Sequence, residues 1–302
     1  MKHTSSTSLI LSAVFAMGFS ATHADTLTGF RIGMTPDADA ADRLQDNQCL
    51  VEHVRELLDV PVSLHTPADF NAVIEGLIGG NLDLAYLGPS AYARVYLTDP
   101  DAVEPILVRV NPDRSYGFYA VAFARIDSSI SSIEEAQGKV IAFGDPNSTS
   151  GYLIPDFQLN QSGISTEAGE FFADVVFSGG HPQSIQGVYN GDFDVSFTYT
   201  DGDGFWEDGY SSGPLRMAAD AGAVDLSEMQ EIWRSEYMVE GPIVIRKDLP
   251  ERVKVEITGL LASMGFMDPD CAYNFLGGEV LGLKPVQHQS YLNIIEMRKK
   301  SQ

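Results

Sequence analysis

Three consecutive hydroxyl residues, Ser148, Thr149 and Ser150, stand between a turn and the start of a helix. The stretch around them, Phe143 to Pro155, reads Phe-Gly-Asp-Pro-Asn-Ser-Thr-Ser-Gly-Tyr-Leu-Ile-Pro. Before it, Lys139 to Phe143 has the character of a short buried strand. Gly144 to Asn147 are turn formers, the hydroxyl trio are N-cap types, and Pro155 suits only the first turn of a helix. A strand, a tight turn and a hydroxyl-rich helix start make an anion site. The first backbone N–H groups of a helix lack intrahelical partners, and the helix dipole favours negative charge there. Phosphate-like oxygens are the natural guest. On this stretch alone a capped helix with nothing bound is the plainer expectation, since Ser and Thr cap helices everywhere.

A serine with His181 as base also raises the possibility of a secreted hydrolase, because a nucleophile needs a base in reach and an acid to orient it. The Gly-x-Ser-x-Gly elbow is absent, since Tyr152 stands where Ser150 would need glycine. No Cys/His cluster offers a zinc site. The Asp201-Gly-Asp203-Gly run lacks the spaced ligands and terminal Glu of a calcium loop. No enzyme, metal or cofactor is therefore expected.

The chain of 302 residues is long enough for two domains. Met1 to Ala24 reads as a secretory signal: Lys2 and His3, then an apolar Leu9–Phe19 run, then Thr22-His23-Ala24 ending in a small residue. The apolar run is too short to span a bilayer, and no later segment is long and apolar enough. The expected location is the periplasm. The net charge of −23 becomes about −24 once Lys2 leaves with the signal, which argues against nucleic-acid and anionic-membrane partners. An anion must then be captured by local donors against an adverse overall field. Cys49 and Cys271 either pair in an oxidising compartment or remain two buried thiols.

Strands are expected at 26–33, 60–65 and 83–87, alternating with helices at 40–58, 68–79 and from Ser90. The helix over 40–58 places Leu44, Leu50, Val51, Val54, Leu57 and Leu58 on one face. Strands at 106–110 and 116–125 follow, the second rich in aromatics. A second series runs through 139–143, a helix to Gln161, 172–177, a helix over 182–189, and 195–199. After a Gly/Asp-rich loop at 200–213, Leu215–Ala219 and Met229–Ser235 read as a strand and a connection. Pro242–Arg246 is another strand, and the remainder to Lys300 is mainly helical. Alternating strands and helices point to mostly parallel sheets, with ligands beyond the strands' C-terminal ends. The expected fold is α/β and two-lobed, with a ligand in the cleft between lobes. Lobe one takes 25–125 and 236–302, and lobe two takes 126–235.

The order of segments carries a resemblance. Asp83-Leu-Ala-Tyr86-Leu-Gly-Pro-Ser-Ala-Tyr92, Tyr116–Arg125, Asp145-Pro-Asn-Ser148-Thr149-Ser150-Gly151, Ser178-Gly-Gly-His181, Gly191-Asp-Phe-Asp194 and Ser235 through Arg246-Lys-Asp-Leu-Pro250 follow one another along nearly the whole chain after the signal. In that order they resemble the periplasmic phosphonate/phosphite-binding proteins of ABC importers. The resemblance implies a type II solute-binding fold, a monomer, and a membrane permease as partner. It implies that Ser148, Thr149, Ser150 and His181 hold the phosphonate oxygens, since charge-assisted bonds to oxyanions are strong. Tyr86 is a further candidate for that grip, and Tyr116 matches an aromatic of the substituent side. Phe70 stands where relatives often carry tyrosine, which leaves a wall without a hydroxyl. Asp201, 20 residues beyond His181, is where binders of 2-aminoethylphosphonate carry an acid, and Glu236 is a second candidate for an ammonium cage. The leading ligand is accordingly 2-aminoethylphosphonate. Phosphite, methylphosphonate and phosphate are the alternatives, along with sulfonate and thiamine-like precursors.

Overall fold

The computed structural model describes residues 27–34, 44–67, 69–201 and 204–301. The signal segment 1–24, the loop at 35–37, the helix start at 40–43 and Asp203 of the Gly/Asp run lie outside the described residues.

Two six-stranded sheets organise the chain. The first takes β1 (Phe30–Gly33), β2 (Val62–His65), β3 (Leu84–Tyr86), β4 (Val103–Val110), β11 (Pro242–Arg246) and β12 (Gly282–Pro285), in the order β12-β4-β11-β3-β1-β2. The second takes β5 (Gly117–Arg125), β6 (Val140–Phe143), β7 (Asp174–Phe177), β8 (Val195–Thr200), β9 (Met229–Arg234) and β10 (Met238–Val239). Its order is β10-β5-β8-β6-β7, with β9 also on β5. Each sheet is mixed. The βα repeats make the parallel halves, β2-β1-β3 and β7-β6-β8. The crossover strands and those that follow them add antiparallel pairs at β11, β12, β5, β9 and β10. The helices flank both sheets, in the two-lobed arrangement of a type II binding protein.

Sheet membership moves the crossovers relative to the sequence reading. Gly117–Arg125 and Met238–Val239, assigned there to lobe one, pair in the second sheet. The chain therefore passes between lobes at 111–116 and again at 240–241. The turn at the first passage fixes the change: Asn111 accepts from Arg109 Nε and donates to Ser115 Oγ and Gly117 O.

The helices are α1 (Gln48–Leu58), α2 (Phe70–Ile78), α3 (Pro89–Thr98), α4 (Ile154–Gln161), α5 (His181–Asn190), α6 (Pro214–Asp220), α7 (Glu251–Met267), α8 (Pro269–Leu276) and α9 (Leu292–Lys300). Their apolar faces follow helical spacing, as in α1 with Leu50, Val51, Val54 and Leu58 buried. The expected strand at Leu215–Ala219 is instead helix α6. Pro214 at its first turn is a helix-start residue, and the apolar run is too short to reveal its period. The expected connection at Met229–Ser235 contains strand β9, and β12 interrupts the C-terminal helices. Cys49 and Cys271 are joined in a disulfide that ties α1 to α8 within the first lobe. Two clusters cover the faces of the second sheet. One lies under the first sheet, and another joins the lobes, where Tyr92 and Ile295 meet Phe118, Leu153 and Met238. No helix among the described residues is long and apolar enough to cross a membrane.

Candidate functional site

Three helix starts converge on one cavity of about 60 Å³ between the lobes. The first is α3, whose N-cap is Gly88 and which opens on Pro89. The second is a π-helical turn, Thr149–Leu153, capped by Ser148 and running on into α4. The third is α5, which opens on His181 after Gly180. Each brings the positive end of its dipole to the cavity. Ser148, Thr149, Ser150 and His181 all line the cavity and are all buried.

The hydroxyls are oriented by what they already accept. Ser148 Oγ accepts from Gly151 N–H at 3.0 Å, and Thr149 Oγ1 accepts from Ser90 N–H at 2.8 Å across the cleft. With a lone pair so engaged, each keeps its O–H hydrogen to donate to a guest. Thr198 Oγ1 lies 3.2 Å from His181 Nδ1, and when that hydroxyl donates, the ring proton sits on Nε2.

The other wall is aromatic and acidic. Phe70, Tyr86, Phe118 and Tyr199 line it with Glu240. Phe118 and Tyr199 meet edge to face at 5.8 Å. Tyr86 O–H donates to Glu240 Oε1 at 2.6 Å, so its proton is committed there. Burial raises the Tyr86 hydroxyl well above its usual range, and the Glu240 charge adds to this. Burial also raises the Glu240 carboxyl, which Arg109 only partly offsets. Glu240 sits on the second crossover, where Gly241 lets the chain pass the turn between β3 and α3; a Cβ there would collide with Leu87 O.

Behind this wall Arg109 bridges the lobes. Its Nη2 donates to Ser212 Oγ at 2.6 Å and its Nη1 to Leu276 O at 3.2 Å. It lies 3.6 Å from Glu240 Oε1 and 3.7 Å from Asp201 Oδ2. Burial alone would lower the guanidinium, but the Glu240 and Asp201 carboxylates and neighbouring tyrosines raise it.

Of the residues the sequence singles out, the cavity gathers Ser148, Thr149, Ser150, His181, Tyr86 and Phe70. Three others stand elsewhere. Asp201 is buried beside Arg109 and accepts from Ser211 and Ser212. Glu236 is exposed. Tyr116 is 43 % exposed, with Lys284 Nζ 3.0 Å over its ring. Phe118, two residues on, takes the wall position. Glu240 and Arg109 were missed, though each is a lone charge in an apolar run, Met238-Val-Glu-Gly-Pro-Ile243 and Leu107-Val-Arg-Val110. A charge in such a run is rarely buried without a partner.

The profile of the phosphonate-binding family, described as the periplasmic substrate-binding protein of a phosphonate ABC transporter, matches residues 32–291. The "Phosphate-import protein PhnD" of Mycolicibacterium smegmatis is 26 % identical over 70 % of this chain, which spans only 64 % of that relative. The "Phosphonates-binding periplasmic protein" of Escherichia coli is 26 % identical over 82 % of this chain and 68 % of its own. The structure of PhnD1 from Prochlorococcus marinus in complex with methylphosphonate superposes with a TM-score of 0.76 at 20 % identity, covering 91 % of this chain and 98 % of that one.

Proposed function

The chain belongs to the family of periplasmic substrate-binding proteins of phosphonate ABC transporters, and from that premise we propose that it captures a small phosphonate between its lobes and delivers it to a membrane permease. The observation that carries this reading is the convergence of three helix starts, the oriented hydroxyls and His181 on one small buried cavity. Ser148, Thr149 and Ser150 donate O–H hydrogens to the oxygens, Thr149 and Ser150 add their backbone N–H groups at the start of the turn, and His181 donates from its ring. Such bonds strengthen when closure excludes water. Nothing is hydrolysed, since this is a family of binding proteins. The working location is the periplasm, as the family's description states for its members.

Within this class, 2-aminoethylphosphonate is supported by the acids near the substituent end, Glu240 in the wall and Asp201 behind it. The cavity's size favours a second reading, methylphosphonate or phosphite. A cavity of about 60 Å³ suits a ligand as small as methylphosphonate. The relative bound to methylphosphonate agrees with that size. Titration calorimetry with 2-aminoethylphosphonate, methylphosphonate, phosphite and phosphate separates the readings. One of the first three is expected to bind with a Kd in the micromolar to nanomolar range, about 8 to 12 kcal/mol. Heat from none of them would remove the phosphonate reading.

A further inference from the structure

The lobes meet beside the two crossovers as well as through them. Ser212, in the stretch of the second lobe that leads into α6, pairs with Gly278 of the first in a single antiparallel bridge. Next to it, Gly213 N–H donates to Gly277 O at 3.2 Å. The approach requires glycine at 278: its φ is +145°, and a Cβ there would collide with the Ser212 Cβ. Arg109 keys the contact. Its guanidinium, buried on β4 of the first lobe, reaches across to Ser212 Oγ at 2.6 Å and lies 3.7 Å from Asp201 Oδ2.

Each half of this junction is complete without the other. On the first side Arg109 keeps Asn111 Oδ1 at 3.0 Å, Leu276 O at 3.2 Å and Glu279 O at 3.4 Å. On the second side Asp201 keeps the hydroxyls of Ser211 and Ser212. Stranding a buried polar group is costly, and parting these halves strands neither the guanidinium nor the carboxylate. The junction can therefore be made and unmade, as a hinge motion requires. It also stands against the cavity. Tyr199 lines the cavity and meets His181 edge to face at 5.3 Å. A Cβ on Gly213 would lie 3.2 Å from the Tyr199 ring, and one on Gly277 would lie 3.6 Å from its hydroxyl, so both sides of the bridge abut this one wall residue.

We propose that the junction is a latch of the closed lobes. Arg109, Ser212 and Gly278 are positioning residues that engage on closure, seat Tyr199 beside His181 and govern how fast the ligand is released. This rests on the cavity being the phosphonate site.

Hydrogen exchange of the unsubstituted full chain, with and without saturating methylphosphonate or 2-aminoethylphosphonate, tests the engagement. The Gly213 amide is expected to exchange on the order of tenfold more slowly with ligand, while amides of β6 change less. Equal exchange of Gly213 in both states makes the junction a permanent strut and overturns the proposal. Stopped-flow displacement tests the release. Ser212→Ala removes the hydroxyl that Arg109 reaches, and Gly278→Ala blocks the approach. Both are expected to release the phosphonate on the order of tenfold to a hundredfold faster, the worth of a hydrogen bond to a charged group, with association within about threefold of the parent. Release at the parent's rate by a folded Ser212→Ala overturns the latch and leaves the anion site standing. That result and the exchange comparison hold even if Gly278→Ala does not fold. Absence of binding of both phosphonates by the unsubstituted protein overturns the latch together with the phosphonate reading.

Discussion

Ser148 and Thr149 each accept a backbone N–H, one from its own turn and one from the opposite lobe, which leaves each hydroxyl its hydrogen to donate. Glu240 is the opposite case, a buried carboxylate with one oxygen that has no hydrogen-bond partner. Burial lifts its carboxyl above the ordinary 4.5. Between that value and the raised one, the folded chain holds a proton that the unfolded chain has released. Folding then takes up a proton, and stability falls as pH rises through the window. Glu240→Gln abolishes this, so the difference in melting temperature between variant and parent should be small at acidic pH and grow toward neutral pH. There the variant should be more stable by about 1–3 kcal/mol, or roughly 2–4 °C for each kcal/mol in a chain of this size. Scanning calorimetry of both proteins without ligand measures this, and parallel pH curves would remove the buried charge from the account.

At the scale of elements, α9 of the first lobe holds the loop that carries the hydroxyl trio in the second. Arg298 is 5 % exposed. It donates to Pro146 O at 2.6 Å, to Asn147 Oδ1 at 2.9 Å and to Ser90 Oγ at 3.4 Å. It touches the start of α3 and the loop leading into the 149–153 turn without lining the cavity, so its removal should loosen closure rather than the grip. Arg298→Ala is expected to raise the dissociation rate by on the order of tenfold to a hundredfold, with association changed far less. Arg298→Lys should recover part of this, since a point charge reaches one acceptor where the fork reaches several. Stopped-flow displacement measures both, and equal rates for Ala and the parent would reduce Arg298 to a packing residue. The hydroxyl turn was legible in the sequence because turn and cap chemistry is local. The pairing of α9 with that loop was not, because nothing near Arg298 in the sequence names an acceptor about 150 residues away. Glu240 and Arg109 were hidden for the same reason: a lone charge in an apolar run names no partner until the sheets are assembled. Helix α6 passed for a strand because a run of five residues carries too little period to decide.

The whole molecule carries a net charge of −23, so on the proposed function its long-range field and its anion site act in opposite senses. The donors at the cavity are backbone N–H groups, hydroxyls and one imidazole, all short in range. Beyond them an approaching phosphonate meets the summed field of the carboxylates, which repels it over a distance set by the salt. That distance is about 30 Å at 0.01 M and about 8 Å at 0.15 M ionic strength. Added salt should therefore speed association, on the order of twofold to tenfold across this range, the reverse of what a basic protein would show. Dissociation should barely change, because the contacts that hold the ligand are buried and screened little. A competing effect has the opposite sign: salt anions that occupy the cavity would slow apparent association. Stopped-flow measurements over the salt series, followed by the fluorescence of Trp206 and Trp233, separate the two. A rate that rises and then levels off places the barrier in the field of the whole chain, whereas a rate that falls throughout means that salt anions competing for the cavity outweigh the screening of the acidic surface.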